Sequence, residues 1–517
     1  MENQNILFDA RGKTEVFRRP WELSIGACHA YTLLREDVRR HFERIHQECG
    51  IESIRCHGLF DDDMQVVFYN DKHEIEYSFF NIDNIYDWMM RVGLKPFVEL
   101  SFMPEALASD PSKTVFRYKG IVSLPRDMNE WTRFIAAFAE HLEERYGKSE
   151  VRKWHFEVWN EPNLGGDILN FKTGFFAGTM EEYFGLYRAT ALALKSVDPK
   201  LSVGGPASSN NRWLPEFRDY CEKNRVPLDF LSTHHYPTDV IFGDNPQATE
   251  EIRKLDADMN AAKNKEEAMK VFWAFRDNVW RYVERGTCLR MDQKARKEAG
   301  DLPLLYTEWQ SLAGLHSDGE FGASFNVKTV MDSRDIVQGY SYWCGSDVFE
   351  EGPQRSEEFN GGFGLVTYHG IRKAAFHSFA LLHSIQGRIL KKSYEKGTLD
   401  AYYFTSEKKD HILLVNHQSL EHPIEKIRGV LKIQGLSGKV KSIEEAIIDH
   451  RHSNALTVYQ EKYHSKAYLS VKEIEEMKKK DGLYVRKVKK YSFQGGILSV
   501  PYIIDRQAVL LLTLSKR

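Results

Sequence analysis

The sequence predicts an α/β fold, a (β/α)8 TIM barrel over residues 21–385 carrying an accessory β-sandwich over residues 386–517, with residues 1–20 contributing further strand. Three observations predict it. The chain has 517 residues, well beyond the roughly 250–300 at which one hydrophobic core stops growing, so more than one domain is expected. Short apolar runs alternate with longer amphipathic ones up to about residue 385, and after Ile385 the texture changes to short β-branched and aromatic segments.

The strand-like runs are Glu22–His29, Ser53–Gly58, Lys95–Phe102, Lys153–Asn160, Leu201–Ala207, Asp229–Tyr236, Pro303–Trp309 and Tyr340–Ser346. Helical patterns such as REDVRRHFERIHQECG, NEWTRFIAAFAEHLEERYG and MEEYFGLYRATALALKSVDP lie between them. In the second, Trp131, Ile135, Phe138 and Leu142 recur at helical spacing, the stripe a helix buries against a sheet. Gly50, Gly93 and Gly147 close three helices where a left-handed cap is cheapest. Eight such units suit a closed parallel barrel. An open doubly wound sheet would carry a phosphate loop after its first strand, and GACHAYTLL lacks the GxGxxG spacing.

Segments LDAYYFTS, HILLVNHQ, GVLKIQG and AVLLLTLS read as an antiparallel sandwich. KEIEEMKKKDG interrupts it and reads as a solvated helix. Residues 244–300 form a long charged connection whose EEAMKVFWAFRDNVWRYVERG is expected to be the sixth barrel helix with a decorated surface loop. The other reading of this stretch places part of it at the active-site face.

Net charge is −3 with no basic block to neutralise a run of phosphates, which excludes nucleic acid as the expected partner. The six cysteines are scattered without a CxxC pair and read as reduced core residues. No run of about eighteen apolar residues suggests a membrane span, and the start of the chain has no apolar leader, so a cytoplasmic protein is expected. A homo-oligomer is compatible with the sandwich and with the charged connection.

Barrel chemistry sits at the C-terminal ends of the strands. The fourth run ends in WHFEVWNEPN and brings Asn160 and Glu161 to the lip; the seventh ends in LLYTEWQS and brings Glu308. A single glutamate after an apolar strand is usually a surface or salt-bridging residue. Two facing each other across a barrel mouth are what glycosidic bond cleavage needs, one protonated to serve the leaving oxygen and one ionised. Ionised Glu308 would favour the protonated form of Glu161. Their separation would decide between retention and inversion.

These strand ends resemble glycoside hydrolase family 39, the β-xylosidase family that also includes α-L-iduronidases, within the clan of retaining 4/7 barrels. The resemblance extends over IRCHGLFDDDM (54–64), GLKPFVELSFMPEALAS (93–109), STHHYPTD (232–239), YWCGSDVFEE (342–351), GGFGL (361–365) and IDHRHSN (448–454). It implies Glu308 as nucleophile, Glu161 as general acid/base and Asn160 on the sugar 2-hydroxyl. It also implies Arg55 beside the nucleophile and His57 on a sugar hydroxyl. Tyr236 is placed to donate to Glu308, and His234 to bind the sugar. Trp343 offers an apolar face to the pyranose, Glu350 or Glu351 accepts from hydroxyls of the terminal sugar, and Phe102 walls the pocket. Arg55 could equally be a structural ion pair, and Trp343 and Phe102 simply core. Adjacent His234 and His235 point to opposite faces of a strand, so no metal is expected, and no cofactor. Where the family usually has a Thr-Phe-like pair after the tryptophan, this chain has Cys344-Gly345, an expected loss of bulk near the pocket.

The implied activity is release of D-xylose from the non-reducing end of xylo-oligosaccharides. An α-L-iduronide, β-galactoside or α-L-arabinoside stays open as the substrate. So does a catalytically silent carbohydrate-binding protein on the same barrel.

Overall fold

The computed structural model describes residues 2–164, 174–242, 246–263 and 265–517. Eight strands close into a barrel: β1 (Ile25–His29), β2 (Ser53–His57), β3 (Lys95–Leu100), β4 (His155–Val158), β5 (Ser202–Ser208), β6 (Phe230–His235), β7 (Leu304–Trp309) and β8 (Gly339–Tyr342). Each pairs in parallel with its neighbour in sequence, and β8 returns to β1. Strands buried on both faces should read as continuous apolar runs. Three charged interruptions, Arg55, Glu99 and Glu157, are fully enclosed. Register sets Glu99 beside Glu157 and His234 beside Glu308.

A helix follows every strand: α1 (Glu36–Cys49), α2 (Phe80–Val92), α3 (Met128–Tyr146), α4 (Met180–Val197), α5 (Leu214–Asn224), α6 (Thr287–Ala299), α7 (Glu320–Ser333) and α8 (Ala374–Ser384). Helix α3 opens on Asp127, which accepts from Asn129 N, and buries Trp131, Phe134, Ile135, Phe138 and Leu142. A reciprocal Thr179–Glu182 capping box starts α4. Gly50 (φ 74°) and Gly93 (φ 91°) are the left-handed caps expected of them. Gly147 is not: its ψ of 140° turns the chain straight into a short helix, Lys148–Val151.

The charged connection also departs from expectation. Its helix stops at Asn278 and a 3-10 turn, Val279–Tyr282, follows. The Lys265–Asn278 helix packs against Pro246–Ala261, outside the barrel ring. The sixth barrel helix is instead α6, polar in sequence yet packed on β6 and β7. Apart from Asp292, its buried positions are small (Thr287, Cys288, Ala295, Ala299), so it lacks the large apolar stripe that identifies a core helix.

Two sheets form the C-terminal region. The larger contains β9 (Leu399–Thr405), β10 (Lys409–Asn416), β12 (Val440–Ile448) and β14 (Ala508–Lys516); the smaller pairs β11 (Ile427–Gln434) with β13 (Ile497–Ile504). The N-terminal residues join both: Ile6–Asp9 runs parallel to β11, and Thr14–Val16 pairs with Arg388–Leu390 in the larger sheet. Alternate residues of β9 serve two cores. Leu399, Ala401 and Tyr403 face the smaller sheet, while Tyr402 and Phe404 join the barrel core. Asp400 also crosses this junction, pairing with Arg285 at 2.5 Å and Lys328 at 3.0 Å.

The KEIEEMKKKDG segment is less solvated than its charges suggest. Its helix, Val471–Lys478, inserts Met477 into a small cluster with Phe359 and Ile371. Asp481 is buried against Arg372 at 2.8 Å, which ties this segment to the loop after β8. All six cysteines are buried and reduced. Among the described residues no helix is long and apolar enough to cross a membrane.

Phe404 is fully buried and packs edge-on to Phe17 at 4.7 Å. Phe404→Ala is expected to cost about 3–5 kcal/mol, read as a lower urea midpoint; an unchanged midpoint would contradict a shared barrel–sheet core.

Candidate active site

The strand ends gather around one side chain. Arg55, on β2, is completely enclosed. Its Nε donates to Glu157 Oε2 at 2.6 Å and its Nη1 to Glu308 Oε1 at 2.9 Å. Nη2 donates to Asn160 Oδ1 at 2.9 Å and lies 2.8 Å from Glu99 Oε2. Burial opposes the charge on this guanidinium, yet Glu157, Glu99 and Glu308 outweigh it and keep it cationic. Both readings of Arg55 therefore hold at once: it is a barrel ion pair and it touches Glu308.

Glu161 stands just past β4, held by its own N–H donating 2.9 Å to Ala207 O on β5. The chain bends sharply to put it there, with positive φ at Trp159 (73°) and at Glu161 itself (42°), a conformation non-glycine residues adopt only when their surroundings impose it. Across the mouth, one oxygen of Glu161 lies within 4.8 Å of one oxygen of Glu308, and His234 Nδ1 lies within that distance of both.

A hydrogen-bond chain orients this pair. Thr307 Oγ1 donates to Glu157 Oε1 at 2.8 Å. Its lone pairs are then open to His234 Nε2, 3.0 Å away, which fixes the Nε2–H tautomer. His234 Nδ1 consequently turns a lone pair toward Glu161 Oε1 at 3.0 Å, a hydrogen bond that is complete when Glu161 carries the proton. Burial pushes the imidazole of His234 down to about 4, so it is neutral at neutral pH. On the other side, Tyr236 OH donates to Glu308 Oε2 at 2.9 Å. Glu308 therefore accepts from Arg55 and Tyr236, and Glu161 faces an acceptor: one carboxyl is arranged as an anion and the other as an acid.

His57 Nδ1 lies 2.8 Å from Glu99 Oε2, and its Nε2 faces Glu308 Oε1 at 3.5 Å and Glu351 Oε1 at 3.8 Å. Burial lowers His57 to about 3 and raises Glu99 to about 7, and Ser101 Oγ donates to the latter. Burial, with the charges of Glu308, Glu161 and Glu99, also pushes Glu351 well up, so it too favours its neutral form. Glu350, its neighbour, points the other way, to His29 Nδ1 at 3.3 Å. The Trp343 indole lies over β1 and packs against His57 at 4.6 Å, clustered with Tyr236 and Cys344. Gly26 permits this, since a Cβ there would come within 2.2 Å of the indole.

Two expectations need correction. Phe102 has no surface open to a ligand; it backs His57 and Trp159. The partly exposed Phe116, stacked on His57 at 6.1 Å, takes the outer position. Gly345 points at Phe42 and Ile45 of α1, so bulk lost there is lost from the helix packing and not from the pocket. His234 and His235 do diverge: His235 reaches Asp292 and Tyr340 behind the barrel, 2.9 and 2.8 Å away. Glu161, His234 and Glu308 are close enough to share a cation, but the Arg55 guanidinium against Glu308 opposes one. Glu99, Glu157 and Thr307 were missed; Glu99 and Glu157 were signalled as charges inside apolar strand runs, PFVEL and HFEVW.

The sequence profile of Glycosyl hydrolases family 39 matches residues 4–496. The chain belongs to that family. A β-xylosidase of Caldicellulosiruptor saccharolyticus is 42% identical over 476 residues, 90% of this chain and 89% of that protein. A β-xylosidase of Geobacillus stearothermophilus is 32% identical, over 86% and 83% of the two chains. The solved family 39 β-xylosidase from Caulobacter crescentus superposes with a TM-score of 0.76 at 28% identity, covering 99% of this chain and 100% of its own. Membership of the family makes this chain a glycoside hydrolase.

Thr307→Val breaks the chain that sets the His234 tautomer, at about 1–3 kcal/mol for a buried unsatisfied donor. Glycosides with poor leaving groups, which need a proton, are expected to lose roughly tenfold to a hundredfold in kcat. Activated aryl glycosides should lose much less, and Thr307→Ser should behave as the parent. Equal losses on both substrate types would contradict the assignment.

Proposed function

We propose that this family 39 hydrolase is a retaining exo-β-xylosidase that releases D-xylose from the non-reducing end of short xylo-oligosaccharides. The observation that carries the mechanism is the approach of the Glu161 and Glu308 oxygens to within 4.8 Å. Retaining enzymes hold their two carboxyl groups about 5–5.5 Å apart and inverting ones roughly 6.5–9.5 Å to admit a water, so a nearest-oxygen approach this short favours the retaining class. A Glu308 oxygen forms a bond to the anomeric carbon as the bond to the leaving oxygen breaks and that oxygen takes the proton of Glu161. In the second step Glu161, now ionised, takes a proton from water. The water oxygen bonds to the anomeric carbon, and the bond to Glu308 breaks.

Asn160 receives Arg55 on its Oδ1, which leaves its amide N–H groups for the sugar 2-hydroxyl, a contact that strengthens in the transition state. His57, Glu351 and Trp343 are assigned to the remaining hydroxyls and the ring face. Glu308 and Glu161 are only 4% and 7% exposed, a depth that a chain end reaches more readily than mid-chain sugar, which favours exo action.

The β-xylosidase relatives favour xylose. The electrostatics argue against an iduronide: the nearest cation, Arg55, is already engaged by four oxygens, and Glu99 and Glu351 line the same region. Burial pushes Glu99 and Glu351 toward their neutral forms, so the charge a sugar carboxylate would meet is that of Glu308, with Arg55 already shared. Proton NMR of early turnover across a panel of aryl glycosides tests this. The β-xyloside should be hydrolysed fastest and β-xylopyranose should appear first; α-xylopyranose first would refute retention, and a faster iduronide or galactoside would refute the substrate.

A further inference from the structure

His29 has no part in the chemistry above, yet it is fully buried beside the site with acids at both ring nitrogens. Its Nδ1 lies 3.3 Å from Glu350 Oε2. Its Nε2 lies 3.5 Å from Asp61 Oδ2 and 3.3 Å from Asp63 Oδ2. The ring stacks on Tyr118 at 3.8 Å and 5°. A neutral imidazole has one N–H and one lone pair, so one nitrogen would then turn a lone pair toward a carboxylate. With these carboxylates ionised, only the doubly protonated ring suits both sides.

We propose that His29 is a permanent imidazolium that clamps the Glu350–Glu351 segment to the loop after β2 and thereby positions Glu351 in the sugar pocket. Four stretches meet on this ring: β1, which ends in His29; the loop after β2, with Asp61 and Asp63; the loop after β3, with Tyr118; and the loop after β8, with Glu350. Two backbone contacts hold the same segment. Glu350 N donates to Cys28 Sγ at 3.3 Å, and Arg117 N donates to Glu351 O at 3.1 Å. Glu350 and Glu351 are consecutive and point apart, so a fixed Glu350 leaves Glu351 facing His57.

The charged groups facing the ring are Asp61, Asp63 and Glu350, with Arg35 and Arg117 acting more distantly on Glu350. Burial opposes the imidazolium, but the three acids outweigh it and lift His29 to about 11. The charge on His29 in turn holds Glu350 below the usual carboxylate range. His29 Nε2 and Asp61 Oδ2, both buried, complete no hydrogen bond of good geometry, and the same atoms with Asp63 are close enough to share a divalent cation. The imidazolium already supplies the positive charge that these oxygens require, and this makes the two accounts separable.

His29 is thus a positioning residue for the activity proposed above, and the inference rests on that reading. The test compares His29→Gln, which keeps a donor and removes the charge, with His29→Arg, which keeps the charge on a forked donor. On p-nitrophenyl β-D-xyloside, His29→Gln should raise KM about tenfold or more with kcat within about threefold, as loss of a charge-assisted contact predicts. His29→Arg should return KM to within about threefold of the parent. Nitrogen-15 NMR of histidine-labelled parent enzyme should show at pH 8 an imidazolium signal that is missing from His29→Gln.

An unchanged KM in His29→Gln would overturn the proposal, as would a neutral His29 at pH 8. So would one divalent ion per chain in the purified parent that His29→Gln lacks. The NMR readout does not depend on turnover, so a parent inactive on the xyloside would refute the substrate assignment while leaving the charge on His29 separately measurable.

Discussion

One buried guanidinium organises the barrel mouth. Arg55 reaches Glu99 on β3, Glu157 on β4, Asn160 just beyond β4 and Glu308 on β7, so four strands, its own included, are referred to a single cation. A lone arginine in this place would be costly to bury, and three glutamates without it more so. Such a cluster contributes little net stability over a packed apolar core. Its effect is placement. Glu308 is held as an anion aimed at the centre of the mouth, while Glu157, anchored by the same guanidinium, directs Thr307 and through it His234 toward Glu161.

The two central glutamates are chemically alike and differ only in what surrounds them. Glu308 is met by donors, Arg55 and Tyr236, whereas Glu161 is met by the acceptor face of His234. The acids around them extend the pattern. Glu99 and Glu351 are pushed toward neutrality by burial, so the negative charge close to a bound sugar is confined. His57 and His234 stay neutral for the same reason and can take part in directional hydrogen bonds without adding charge.

Much of this was legible in the chain before folding. Barrel strands announce themselves as apolar runs because both faces are covered, and Pro162 marks the stop after Glu161. The sixth helix was misplaced because α6 packs mostly through small residues, while the conspicuous aromatic pattern upstream is split between a helix outside the ring and the 3-10 turn Val279–Tyr282. Side-chain direction was the other blind spot. Phe102 faces the core, Gly345 faces α1, and Glu350 turns to His29, and none of these can be read from spacing alone. Glu99 and Glu157 stood out as charges in apolar runs, but their partner Arg55 lies 102 residues before Glu157. Only barrel closure and register bring such residues together.

The central claim is that Glu308 becomes covalently bound to the sugar while Glu161 handles the proton. Incubation with an activated 2-deoxy-2-fluoro-β-xyloside, followed by peptic digestion and mass spectrometry, measures this directly. The account predicts one fluoroxylosyl group per chain, attached to Glu308. Attachment to Glu161, or inactivation without any covalent adduct, would contradict it.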